Sequence, residues 1–234
     1  MTTIYFCRHG EATGNVNYTF QGCTDNPLTD RGRQQCQLLA NRLKEVHLDC
    51  IYTSPLGRAW ETARIINQYH NARIYIDSAF QELCCGAMEN TDMLDLYEDF
   101  PNEMFKWDNE PWDFQGPNTD DTMRSRFEAM EKGLRRVIAN HPGQTVLITA
   151  HGNTLRLFNC IAQGLDITHL GEMGWGDNTC LSCAEFEDGL PGRLVMKNST
   201  DHVDPGLATV DFWLVKDKLR AERDARRAAE GGNP

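Results

Sequence analysis

No run of apolar residues in this 234-residue chain approaches the ~18–20 needed to cross a bilayer, so a transmembrane helix is excluded. The opening segment Met1-Thr2-Thr3-Ile4-Tyr5-Phe6-Cys7 has neither a basic stretch nor a long apolar core. It is expected to be a first buried strand rather than a signal peptide, and the protein is expected to be cytoplasmic. Positive charge is also scarce: 23 lysines and arginines stand against 34 aspartates and glutamates, a formal net charge of −11. That balance argues against nucleic acid or an anionic membrane as a partner. There is no internal repeat. A second Cys-x-x-Cys pair to accompany Cys180-Leu181-Ser182-Cys183 is lacking too, so a zinc site is not expected. With no secretion signal, the nine cysteines are expected to be free thiols in a reducing compartment.

What the sequence does contain is enough apolar material, 40% of residues, to fill one core. Short runs of β-formers predict strands at Thr3 to Cys7, Asp49 to Thr53, Arg73 to Ile76 and Thr145 to Thr149, and a hairpin from Thr179 to Phe186 and Gly192 to Lys197. Between them lie helical periods. Cys36, Leu39, Ala40, Leu43 and Val46 form one apolar stripe, with Thr29 or Asp30 as N-cap. Ser54-Pro55 is expected to cap a helix running toward Tyr69. Phe127, Met130, Leu134, Val137 and Ile138 form another stripe, and Leu155 to Ile161 opens a fourth helix. Alternation of this kind implies an α/β fold: a three-layer αβα sandwich around a mostly parallel sheet. Residues 83–122 break the pattern with prolines and tryptophans and read as a lid inserted into a single domain over residues 1–215. Residues 216–234 read as a charged, flexible tail.

Four ionisable groups stand just past the carboxyl ends of these strands. Arg8-His9-Gly10 follows the first, Arg58 the second, Glu82 the third and His151-Gly152 the fourth. Ligands of open α/β sheets bind outside those ends, so residues distant in sequence can converge there. Their types fit phosphoryl transfer. A neutral histidine is a nucleophile toward phosphorus, and arginines with a donating histidine offset the charge on the equatorial oxygens. A carboxylic acid can protonate the departing alcohol and then, ionised, activate water. Gly10 and Gly152 are expected to let the backbone approach the anion.

These residues also carry a resemblance. The run Arg8-His9-Gly10-Glu11-Ala12-Thr13-Gly14-Asn15 resembles the phosphate-binding opening of the histidine phosphatase superfamily, also called the phosphoglycerate mutase-like family. Gln21 to Thr29 is similar to its next block, Ile51 to Ala59 to its arginine motif, and Ala150-His151-Gly152-Asn153 to its second-histidine motif. The likeness runs from residue 3 to about 200. It implies His9 as nucleophile, Arg8, Arg58 and His151 as the phosphate pocket, Asn15 as a further phosphate donor, and Gln21, Gly22, Gly152 and Asn153 near the substrate. It aligns Glu82 with the general acid. Met88 and Asn90 depart from the usual aromatic and glycine in that block, which leaves Glu89 as the alternative.

The resemblance spans two enzyme classes, phosphatase and cofactor-dependent phosphoglycerate mutase. A third reading is a member that binds phosphorylated ligands without catalysis. Between Leu83 and Met123 there are eleven acidic residues against one basic, Lys106. An acidic lid would repel a second phosphate or a carboxylate. That favours a phosphatase acting on small phosphate monoesters with a neutral or cationic tail, although Asn153 is mutase-like. No metal or organic cofactor is implied, because arginines supply the positive charge. The oligomeric state is left open.

Overall fold

The computed structural model describes residues 1–230, so the closing Gly-Gly-Asn-Pro of the expected tail lies outside the described residues. Six strands, β1 (Thr2–Arg8), β2 (Cys50–Thr53), β3 (Arg73–Ile76), β4 (Thr145–Ala150), β5 (Leu181–Phe186) and β6 (Arg193–Ser199), form one sheet in the order β3-β2-β4-β1-β5-β6. β1 to β4 are parallel, and β5 runs against its neighbours β1 and β6. This is the mostly parallel sheet that the alternating pattern implies.

The helices are α1 (Thr13–Val16), α2 (Asp30–Leu43), α3 (Gly57–Asn67), α4 (Leu96–Asp99), α5 (Pro101–Asn109), α6 (Met123–Asn140), α7 (Gly152–Ala162) and α8 (Phe212–Glu230). Successive strand residues point to opposite faces, and the two faces bury separate cores. Ile4, Phe6, Val146 and Ile148 pack with Leu134 and Val137 of α6 and Phe158 of α7. Phe6 stacks on Phe158 with centroids 4.7 Å apart, a pairing worth about 0.5–1.5 kcal/mol beyond its buried area. On the other face, Cys7 and Leu147 meet Leu39 and Leu43 of α2 and Ala63 and Ile66 of α3. Those are the three layers.

Thr29 caps α2 by accepting the Gly32 amide at 2.9 Å. Ser54 does not cap α3 as its position before proline suggests. The helix begins only at Gly57, and the Ser54 hydroxyl accepts from the Leu56 amide at 3.2 Å and meets His151 Nε2 at 2.7 Å. The serine serves a residue ninety-seven positions away instead of its own helix.

Residues 83–122 form α4, α5 and two short 3₁₀ turns lying across the carboxyl end of the sheet. Phe212, at the start of α8, is buried with its ring 5.8 Å from Tyr18. Farther along, Arg223 pairs with Asp95, just before α4. The segment read as a tail is, through Glu230, part of a helix that meets residues 83–122 through Arg223 with Asp95 and through Lys216, whose ammonium lies 4.8 Å from the Tyr97 ring centroid. No helix among the described residues is long and apolar enough to cross a membrane.

The expectation of nine free thiols is corrected. Cys23 and Cys84 form a disulfide, with Cα atoms 4.8 Å apart, while the remaining seven are free and buried. Their pairing depends on two loops meeting across 61 positions of sequence, which no local spacing announces. Closing a loop of that length removes about 4 kcal/mol of denatured-state entropy in the chain-closure model. Alkylation of denatured protein should therefore modify seven cysteines before reduction and nine after it. Cys84→Ser should lower Tm by roughly 10 °C, read by calorimetry. Nine reactive thiols in oxidised, denatured protein would contradict the bridge.

Candidate active site

β1 delivers Arg8 and His9 to the carboxyl edge of the sheet, beside the end of β4. The His9 amide donates to the Ala150 carbonyl at 2.9 Å, and the His9 carbonyl accepts from the Thr179 amide at 3.2 Å and from Asn178 Nδ2 at 3.0 Å. The backbone is thus clamped before the side chain is considered. The imidazole, 3% exposed, has Nδ1 2.7 Å from the Gly10 carbonyl. A carbonyl can only accept, so Nδ1 carries the proton and the lone pair sits on Nε2. Nε2 accepts from Arg58 Nε at 3.2 Å, consistent with that tautomer. Burial first, then the charges of Arg58 and Arg8, hold the ring well below the usual histidine range, so it is neutral.

Arg58 lies in the first turn of α3 and is 1% exposed. Its Nη1 donates to the Thr24 carbonyl at 2.6 Å and its Nη2 to the Gly22 carbonyl at 2.8 Å. Gly22 has φ +52°, and an added Cβ would lie 2.3 Å from Glu89 Oε1, so glycine is required there. Burial lowers the guanidinium to about 10, which still leaves it charged at neutral pH.

His151 caps the start of α7. Its ring is 5.2 Å from that of His9 and fully buried; it does not border the cavity. Burial, then Arg58 and His9, push it well below the usual range, so it too is neutral. With Ser54 accepting from the Leu56 amide, the serine hydroxyl is free to donate to His151 Nε2. Nδ1–H is then a buried donor with no partner.

Glu82, 7% exposed, accepts the Leu83 amide on Oε1 at 2.8 Å and the Asn153 amide on Oε2 at 3.0 Å. Burial raises its carboxyl above the usual range, the direction an acid needs; the two amide hydrogen bonds and Arg58 work against it. Glu89 is held elsewhere. Its carboxylate accepts from the amides of Cys23 at 2.9 Å, Thr24 at 2.8 Å and Cys85 at 2.8 Å, and from the Thr24 hydroxyl at 2.6 Å. It is a strut for the loop that supplies Arg58 with carbonyls.

A cavity of about 520 Å³ opens over these groups. Arg8, His9, Arg58 and Glu82 border it, as do Asn15, Gln21, Gly22, Gly152 and Asn153. Arg8 donates from Nη1 to the Gly176 carbonyl at 2.7 Å, and its Nε is buried without a partner. Gly10 does not border the cavity. Its missing side chain admits α2 instead, since a Cβ there would lie 2.5 Å from the Gly32 carbonyl oxygen. Of the eleven lid acids, Asp108 alone reaches the cavity wall. Asp113 and Asp121 pair with Arg124 and Arg126, and Asp95 with Arg223.

Sequence reading missed Arg156, Trp175 and Asn178, which also line the cavity. Arg156 lies one helical turn beyond His151-Gly152, the only signal that could have pointed to it. Trp175 closes one wall, 3.1 Å from where a Gly152 Cβ would be and stacked on Trp107 of α5 at 5.7 Å.

Comparison with known proteins agrees with this geometry. The chain is 30% identical over 190 residues to phosphoserine phosphatase 1 of Hydrogenobacter thermophilus, covering 80% of this chain and 88% of that protein. It is 32% identical over 177 residues to the probable phosphoglycerate mutase GpmB of Escherichia fergusonii, covering 76% and 79%. Among solved structures, Bacillus stearothermophilus YhfR superposes with a TM-score of 0.79 at 28% identity, covering 87% of this chain and all of that one. Residues 4–199 match the family model for the histidine phosphatase superfamily (branch 1), and the chain belongs to that superfamily.

Proposed function

We propose that this chain is a phosphatase that hydrolyses small phosphate monoesters through a covalent phosphohistidine on Nε2 of His9. The hydrogen bond from His9 Nδ1 to the Gly10 carbonyl carries the reading, because it fixes a neutral ring with its lone pair on the nitrogen facing Arg58. Arg58 Nε donates to that lone pair at 3.2 Å. When a phosphoryl group enters, the guanidinium redirects this hydrogen bond to a phosphoryl oxygen and frees Nε2 for attack. Arg8, which borders the cavity and has an unpartnered Nε, supplies a further cationic donor for the equatorial oxygens, and His151 backs the His9 ring from behind, 5.2 Å away. Asn15, Gln21, Gly22, Gly152 and Asn153 complete the wall around the bound ester.

As the N–P bond forms, the ester O–P bond breaks, and protonated Glu82 gives its proton to the leaving alcohol oxygen. The resulting carboxylate then takes a proton from water, whose oxygen attacks phosphorus. The P–N bond breaks, releasing inorganic phosphate and restoring neutral His9 and protonated Glu82. The alternative is phosphoglycerate mutase activity, as the name of the E. fergusonii relative suggests. Hydrolysis is the better supported: Lys106, the lid's only basic residue, does not border the cavity, and beyond the phosphate-facing arginines only Arg156 lines it.

Incubation with a ³²P-labelled monoester should place label on the protein, and His9→Ala should abolish it. Label passing to phosphoglycerate rather than to water would establish the mutase. The shifts also fix a pH dependence. His9, lowered, stays competent as pH falls below the ordinary histidine range, and activity drops only when it finally protonates. Glu82, raised, sets the alkaline limb as it ionises. Glu82→Gln should cut kcat about 10²–10⁴-fold and flatten that limb relative to wild type on the same substrate. Glu89→Gln should instead destabilise the fold by about 1–3 kcal/mol in urea melts, leaving both limbs in place. A profile altered by Glu89→Gln but not by Glu82→Gln would exchange the two assignments.

A further inference from the structure

Two of the nine cysteines stand apart from the rest. Seven are buried free thiols, whereas Cys23 and Cys84 are bridged and only half-buried, so solvent contact among the cysteines is largely confined to the bridge. Bridges of that kind are the ones that exchange with external thiols. This one also joins the two halves of the reaction site. Cys23 lies between Gly22 and Thr24, whose carbonyls hold Arg58, and Cys84 lies just beyond Glu82. The Cys84 side is anchored independently: its amide donates to Asp121 Oδ2 at 2.9 Å, and Asp121 pairs with Arg126 of α6. The bridge therefore fixes the Arg58 loop against the segment that carries Glu82. Glu89 makes a parallel noncovalent connection, accepting the amides of Cys23 and Thr24 from one loop and of Cys85 from the other. Without the bridge that carboxylate still holds the loops together, so the fold persists while the constraint on Arg58 and Glu82 loosens.

We propose that the Cys23–Cys84 bridge is a redox switch on this site: the oxidised protein is the active form, and reduction by a dithiol slows it. A thiolate of the dithiol attacks Cys84 Sγ, and the bond between the two cysteine sulfurs breaks as a mixed disulfide forms. Cys23 leaves as a thiolate and takes a proton. Gln81 Nε2, 3.1 Å from Cys23 Sγ, donates a hydrogen bond to the departing sulfur. The second thiol of the reagent then attacks the reagent sulfur bonded to Cys84, frees Cys84 as a thiol and leaves the reagent as an intramolecular disulfide. Two electrons and two protons pass to the protein, and a disulfide oxidant reverses the step. Cys85, next in the chain, does not divert the exchange. Burial, then the charges of Glu82, Glu89 and Asp121, push its thiol well above the usual range, so it stays protonated and is a poor nucleophile. The effect on turnover rests on the phosphatase reading; the coupling of the bridge to anion binding through Arg58 does not.

The test assays the full chain on p-nitrophenyl phosphate in two states, oxidised, and reduced with dithiothreitol that is then removed without air, below the melting transition of the reduced form. Circular dichroism should show both states folded. Reduction should lower kcat/KM about tenfold, since small displacements of positioned groups carry large rate penalties. Reoxidation with oxidised glutathione should restore it, and Cys84→Ser should match the reduced protein and ignore both reagents. Equal kcat/KM in the folded oxidised and reduced protein overturns the proposal. So does a bridge that excess dithiothreitol leaves intact in the folded state, a loss of activity that only accompanies loss of fold, or a Cys84→Ser protein that still responds to reductant. If Cys84→Ser does not fold, the two wild-type states decide. Calorimetry with inorganic phosphate separates the switch from the catalytic reading. If no ester is turned over, weaker phosphate binding by the reduced protein supports the switch, and equal binding refutes it.

Discussion

The site depends on a buried guanidinium that forms no direct ion pair with any carboxylate among the described residues, although Glu82 and Asp25 lie near enough to act on it through space. An ion pair would have satisfied Arg58 cheaply, but it would also have cancelled the charge a phosphoryl group needs. The fold holds it with dipoles instead: the carbonyls of Gly22 and Thr24 and the lone pair of His9. Removing an ion from water carries a penalty of several kcal/mol, and these neutral acceptors offset only part of it. Much of the surrounding architecture maintains that arrangement. The loop offering both carbonyls is fixed by Glu89 through three amides and a hydroxyl, and by the disulfide at Cys23. Burial first, and then this same guanidinium charge, keeps His9 and His151 neutral, so the group that draws the anion also reinforces the nucleophile's protonation state.

The frame was legible because its signals are local. β1 and β4 read as strands from a few consecutive β-formers, and each lies within a residue of its expected bounds; α2 read from an apolar stripe behind Thr29 or Asp30, and it starts there but ends at Leu43, three residues short of Val46. His9, Arg58 and Glu82 were legible because parallel strands bring their carboxyl ends to one edge, so position relative to a strand predicts position in space. Ser54, Arg156 and the cysteine pair were not. A serine before a proline has a plausible local use as a cap, and only the approach of β4 reveals that its hydroxyl meets His151. Arg156 follows an apolar periodicity that assigns it no face of its own, and only the folded chain brings it into the cavity wall. Cys23 and Cys84 meet through loop packing, for which sequence spacing is silent.

The lid shows why counting charge is a weaker guide than locating it. Eleven acids against one lysine suggested a negative wall. In space the carboxylates of Asp113 and Asp121 meet arginines of α6, Asp95 meets one from α8, and Asp92 caps the amide of Leu94. What the lid turns toward the cavity is mainly apolar. Trp107 packs edge-on against Phe20 at 4.9 Å and Phe114 at 4.8 Å and stacks on Trp175, forming a hydrophobic cover. Such a cover excludes water, and in a drier site each remaining charge on Arg8, Arg58 and Arg156 acts more strongly than the same charge at the surface.

Glu82 and Glu89 show the same rule at the scale of single side chains. They are chemically identical and lie in one stretch of loop, so nothing intrinsic distinguishes acid from strut. Glu89 receives four donors, which fix its side chain against the loop it braces. Glu82 receives two, one on each oxygen, and is buried at the mouth of a cationic pocket. Burial favours its protonated form and the neighbouring guanidinium opposes it, with burial the larger effect. Arrival of a phosphate dianion tips the balance further. It neutralises Arg58 and Arg8 and sets negative charge beside the carboxyl, so the substrate itself promotes the protonated state that its own cleavage requires.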